Sequence, residues 1–171
     1  IRGERSTVTV AAGEIVDDTL LAYGDTVIID GTITGDLIAA ARRVKITGTV
    51  QGDVLCAAEN VEIGGNVEGN VYGVGESVQL TGMARNLYAA GQSISLAEAT
   101  AFRGNMMAAA ESIVLDGQLG RDMIVAGREI EIRGMIGQGI RTFAQRLVLL
   151  PSARVGGGHQ ANVPTEDSVQ I

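Results

Sequence analysis

His159 is the one histidine of the chain, and it stands in the run Gly156-Gly157-Gly158-His159-Gln160. An imidazole there could take the proton of an acceptor hydroxyl, which is how a solenoid acyltransferase of the hexapeptide type would use it as a general base. The surrounding spacing speaks against that chemistry. Along Val44, Val50, Val54 and Val61 the apolar offsets are 6, 4 and 7, not three equal hexads. A second candidate is the column Asp36, Asp53, Asn70, Asn86, Asn105 and Asp122, which continues as Gly139 and Gly158. Stacked carboxylates could hold a divalent cation through oxygen ligands. No loop with the ligand density of a calcium site surrounds them, so we expect the short polar side chains to bond neighbouring backbone groups as a ladder. Neither a metal nor a cofactor is expected, and no residue is assigned a catalytic role.

The remaining polar features read as surface. Thr32, Thr34, Thr47 and Thr49 could form a flat threonine array for ice binding, but Gln51, Asn66 and Glu68 interrupt it, so exposed β-propensity explains them better. Arg42, Arg43, Arg128, Arg133, Arg141, Arg146 and Arg154 read as a solvated surface that balances the acids. Gly73-Val74-Gly75 is not followed by a helical pattern, so it is no phosphate loop. Paired-carboxylate hydrolysis on a solenoid needs long loops to build a groove, and none is present. Cys56, the only cysteine, forms no intrachain disulfide and falls in the buried register of Val50 and Val54.

These residues are positioned by a repeat. Leading strands start at Val27, Val44, Val61, Val78, Ile94, Ile113, Ile130 and Leu147, with spacings of 17, 17, 17, 16, 19, 17 and 17. Each start is followed two residues on by Ile or Leu, and the residues between are mostly polar, such as Lys45, Glu62 and Gln79. Period 2 puts the first set inside and the second in water. Two further apolar columns, one through Ile33, Val50 and Val67 and one through Leu37, Val54 and Val71, mark two more short strands per coil. Glycines such as Gly31, Gly48, Gly65 and Gly82 stand between them as corners. The expected fold is an all-β, three-sided parallel β-helix of about eight coils of ~17 residues. Val8, Val10, Ile15 and Leu20 give a first, imperfect coil before the pattern locks from Asp25. The expected boundaries are a lead-in at 1–9, the β-helix at 10–163, and a turn with the start of a further coil at 164–171.

Composition agrees with a thin aliphatic core. Of 171 residues, 46% are hydrophobic but only 3% aromatic, with 24 Gly. Net charge is −7, and residues 1–83 carry 5 bases against 12 acids whereas residues 84–171 carry 8 of each. No basic patch with interleaved aromatics exists, which argues against a nucleic-acid partner. No apolar run reaches the roughly 18 residues of a membrane-spanning helix. The chain starts at Ile1 without Met and stops in Val169-Gln170-Ile171, so a piece of a longer protein is expected, with any targeting segment outside it.

The repeated pattern VxIxGxVxGxV, here Val44 to Val54 and again Val61 to Val71, followed by small residues such as Ala57-Ala58 and Ala89-Ala90, resembles the bactofilins, bacterial polymer-forming cytoskeletal proteins. The likeness covers residues 10 to 163. It implies a right-handed helix that polymerises end to end without nucleotide, a cytoplasmic filament at the membrane, and a scaffolding role for cell-shape or cell-envelope enzymes. Arg85, Arg121 and Gln138 depart from it by replacing the second corner glycine, and Glu98 to Ala101 lacks the first. Alanine-rich variants of the repeat also occur in membrane-anchored proteins, which leaves the side of the membrane open.

Physics supports self-association separately, because a solenoid without polar caps exposes strand edges at each end. The expected end faces are Val8, Val10, Ile15 and Leu20 at one end and Leu147, Leu149, Val155, Val169 and Ile171 at the other. The expected partners are further copies of the chain, with membrane attachment through segments outside 1–171. The alternative from another class is the transferase with His159 at a subunit cleft.

Overall fold

A computed structural model describes residues 7–162 and 169–170. The chain starts with three strands of unequal length, β1 (Thr7–Val10), β2 (Ile15–Val16) and β3 (Leu20–Ile29). Thereafter a two-residue strand alternates with a ten-residue strand: β4 (Thr32–Ile33), β5 (Leu37–Ile46), β6 (Thr49–Val50), β7 (Val54–Ile63), β8 (Asn66–Val67), β9 (Val71–Leu80), β10 (Met83–Ala84) and β11 (Leu87–Leu96). The alternation continues through β12 (Ala101–Phe102), β13 (Met106–Leu115), β14 (Gln118–Leu119), β15 (Met123–Ile132), β16 (Met135–Ile136) and β17 (Ile140–Leu149). It closes with β18 (Arg154–Val155), β19 (His159–Asn162) and β20 (Val169–Gln170). Every pairing is parallel. The long strands stack into an 11-stranded sheet with the end strands, and the short ones into a 9-stranded sheet.

Each short strand marks one coil, so the described residues make about nine coils of ~17 residues, one more than the repeat count predicts. The additional coil lies at the start. Thr7–Val10 pairs residue by residue with Thr26–Ile29, and Val8 and Val10 are buried, so the first coil begins inside the segment expected to be a lead-in. The coil of Val8, Val10, Ile15 and Leu20, imperfect in spacing, is regular in its pairing. At the other end β20 pairs with β17, Val169 opposite Leu147, as expected for the start of a further coil. At about 4.8 Å per rung, nine coils make a rod roughly 40 Å long.

The third strand of one coil and the leading strand of the next are one strand, not two. In β5, Leu37 and Ala39 point inward and then Val44 and Ile46 do, with Arg42 and Arg43 both exposed between them. Two successive outward residues shift the period-2 phase and turn the corner without breaking the strand. Pairing skips only the corner residue, so Gly24 faces Ala41 and Thr26 faces Arg43. Three inward columns per coil remain, and the cross-section has three sides. The core is a continuous stack of Val, Ile and Leu running from Val8 to Leu147.

The glycine corners owe their residue type to close stacking. A Cβ added to Gly48 would meet the carbonyl oxygen of Gly31 on the preceding coil, and Gly65 stands in the same relation to Gly48. Both Thr47 and Gly48 donate their N–H groups to the carbonyl of Ile29, at 2.8 and 2.9 Å, which pulls the corner onto the coil before it. Among the described residues a positive φ occurs only at Gly13, in the turn before β2. No helix long and apolar enough to cross a membrane occurs among the described residues.

Candidate functional site

The polar column forms the expected ladder. The Asp36 carboxylate accepts the Asp53 N–H at 2.8 Å, the Asp53 carboxylate accepts the Asn70 N–H at 2.7 Å, and Asn86 donates its side-chain amide to Asn70 at 2.7 Å. The Asn86 side-chain oxygen accepts from Asn105 N–H, Asn105 from Asp122, and Asp122 from Gly139, at 2.7, 3.2 and 2.9 Å. Each side chain bonds the coil that follows it, at a corner where the sheet ladder is interrupted. No group of three or more metal-ligating His, Cys, Asp or Glu residues occurs among the described residues. Cys56 is buried, as its register predicts, and burial pushes its thiol from 9.0 up to about 12. That thiol is neither nucleophile nor metal ligand at neutral pH.

The backbone of His159 pairs with Ile140, which continues the inward column of Leu37, Val54 and Met106 onto the last coil. The expected end residues divide into two groups. Val8, Val10 and Leu147 are core residues with 2%, 2% and 0% exposure and offer no surface to a partner. Further pairing covers Leu147, because β20 lies on β17 there. Ile15 is 67% exposed, and Leu20, Leu149 and Val155 are half-buried. Val169 is in β20, opposite Leu147, and Ile171 lies outside the described residues.

A long apolar surface feature is one that the sequence reading passed over. One residue into each long strand the side chain points outward, and in successive coils it is Leu21, Ile38, Leu55, Tyr72, Tyr88, Met107 and Ile124. Two residues further on runs a parallel outward column of small residues, Ala40, Ala57, Val74, Ala90, Ala109 and Ala126, closed at its two ends by Tyr23 and Phe143. Together they line an apolar trough of about 920 Å³ along one side of the rod. Tyr72 and Tyr88 stack at its middle, with ring centroids 5.0 Å apart and planes within 8°. A contiguous apolar surface of this extent marks a place where something docks. Its signal was present in the sequence as an apolar residue one place after each of Leu20, Leu37, Val54, Val71, Leu87, Met106 and Met123.

The two edges of this side differ electrically. At the corner within the long strands, Arg42, Arg128 and Arg146 lie 3.6, 4.0 and 3.0 Å from Glu59, Glu111 and Glu129, each on a neighbouring coil. Charge there is balanced within the chain. On the opposite edge, acids occupy the early coils at Asp17, Asp18, Asp36, Asp53 and Glu68, and arginines occupy later ones at Arg85, Arg103 and Arg121, with Asp122 beside Arg121, while Arg141 follows Ile124 in the outward column itself. None of these arginines forms an ion pair among the described residues.

Comparison of the chain with known family models, curated proteins and solved structures gives no match.

Proposed function

We propose that this chain is a non-enzymatic structural protein that assembles end to end through its terminal coils, without nucleotide, into a filament that serves as a scaffold. The observation that carries this reading is the pair of open edges of the 9-stranded sheet. Among the described residues, β2 pairs only with β4 and β18 only with β16, so each end presents unpaired backbone groups beside Ile15 or Val155. Such an edge is a template for another strand, and joining two coils buries apolar cross-section at roughly 25 cal/mol per Å². The resemblance of the repeat to the bactofilins supports the same reading. Attachment to a membrane and service to cell-envelope enzymes belong to this proposal through that resemblance.

Negative-stain microscopy of the purified chain at moderate salt tests it, with filaments of one rod's width or more as the expected result. Ile15→Lys places a charge on the exposed end and should shorten them. Monomers alone across a wide range of concentration would overturn the proposal.

A further inference from the structure

The apolar trough faces outward along the side of the rod, where end-to-end contacts do not reach it. We propose that this side binds the same side of a second copy of the chain, with the two rods antiparallel. Counting coils from Leu21 as the first to Phe143 as the eighth, the pattern is close to a palindrome. Reversal places Tyr72 of the fourth coil against Tyr88 of the fifth, Leu55 against Met107 and Ile38 against Ile124 in the large column, with Leu21 against Arg141 as its one mismatch, and Tyr23 against Phe143 at the ends of the alanine column. A twofold interface requires that kind of self-complementarity, since each contact is made twice.

Charge selects both the partner and its direction. A twofold axis lying in the face and perpendicular to the rods keeps each edge beside its own copy and reverses the coil order. On the uneven edge, Asp36 then meets Arg121, Asp53 meets Arg103, and Glu68 meets Arg85, while Asp17 and Asp18 of the first coil come to the end of the rod where Gln138 holds the edge and Arg141 the neighbouring column. Three of the four acidic coils gain an arginine on the same edge. Parallel rods would instead set this edge against the one whose arginines already pair within the chain. An anionic lipid surface fits poorly, because six carboxylates stand against three arginines on the uneven edge.

The area suffices. Eight large side chains on this side are 39% to 58% exposed, together on the order of 700 Å² per copy, against about 800 Å² per partner in a standard interface.

Sedimentation velocity on the intact chain should show a dimer, or paired rods if filaments form, and Tyr72→Glu with Met107→Glu should weaken the pairing by about 100-fold or more. Thr47→Glu, on another side, should not. Because the ends are untouched, loss of pairing leaves single-rod filaments intact, whereas failure of end-to-end assembly leaves the paired rods. A cysteine cross-link reads direction. Positions 38 and 124 are five coils apart, about 24 Å, so a disulfide between them cannot form within one chain. Oxidising a mixture of Ile38→Cys and Ile124→Cys chains should yield the mixed cross-linked dimer. Cys56 does not compete, being buried. A 38-to-38 cross-link in its place would overturn the antiparallel arrangement. A monomer that floats with phosphatidylglycerol vesicles would overturn the pairing and make the side a lipid surface. A monomer that does neither would also overturn it.

Discussion

Each ten-residue strand spans two sides of the rod, and the two halves of one strand carry opposite chemistry outward. In β5 the first half presents Ile38 and Ala40 and the second presents Arg43 and Lys45, while Leu37, Ala39, Val44 and Ile46 point into one shared core. The backbone ladder on both halves is the same, and so is the inward aliphatic packing. Outward residues are therefore free to vary without penalty to the coil. On the second half they are mostly polar, with Ile28, Val114 and Val148 the exceptions, and on the first they stay apolar for seven coils. A surface that folding does not require to be apolar has another use.

The comparison breaks if the inward columns are not what holds both halves together. Ile46→Ala empties part of the core and should lower unfolding stability by about 2–5 kcal/mol, measured by chemical denaturation. Gly65→Ala drives a methyl group into the Gly48 carbonyl and should cost about 1–3 kcal/mol by the same measurement. At the ladder that flanks the apolar half, Asn86→Ala removes a donor to Asn70 and the acceptor of the Asn105 N–H. That should cost about 1–2 kcal/mol and speed hydrogen exchange at Asn105.

Outward exchanges sharpen the comparison. Leu55→Lys and Lys45→Leu reverse the chemistry of the two halves, and each should leave monomer stability within about 1 kcal/mol of the parent. Their effects on association should be opposite, with Leu55→Lys weakening it and Lys45→Leu adding a new apolar contact, read by light scattering. Arg42→Ala removes an exposed pair with Glu59 and should change stability by less than about 0.5 kcal/mol.

Cys56 tests burial under the apolar half by pH. Its thiol loses its proton at 9.0 when free and at about 12 in the fold. Between those values the unfolded chain binds fewer protons than the folded one, so stability falls as pH rises through that window and is unaffected below it. Cys56→Ala should remove that part of the slope, and alkylation of Cys56 at pH 8 should proceed only at the rate of opening.

Much of the coil was legible because its signals are local. The inward columns through Val44, Val61 and Val78 repeat at fixed spacing, the corner glycines recur, and the Asp36-to-Asp122 column occupies one place per coil. The first coil was legible only as an imperfect one, and its start was set too late, because Val8, Val10, Ile15 and Leu20 do not share the period of the rest, although Thr7–Val10 holds full register with Thr26–Ile29. The apolar side was missed because Leu21, Ile38 and Leu55 look unremarkable singly, one exposed apolar residue among polar neighbours, which is ordinary on any surface.

By itself, then, the sequence determined the parallel β-solenoid, its period of ~17, its aliphatic interior and the polar ladder at one corner, since a fixed spacing of inward residues admits few other ways to bury them. Tertiary structure decided which strands are continuous, where the first coil begins and which surface is large enough to bind. Its reason is stacking: residues 17 apart in the chain become neighbours on adjacent rungs, so scattered outward residues turn into a continuous apolar side with a graded charge along one edge.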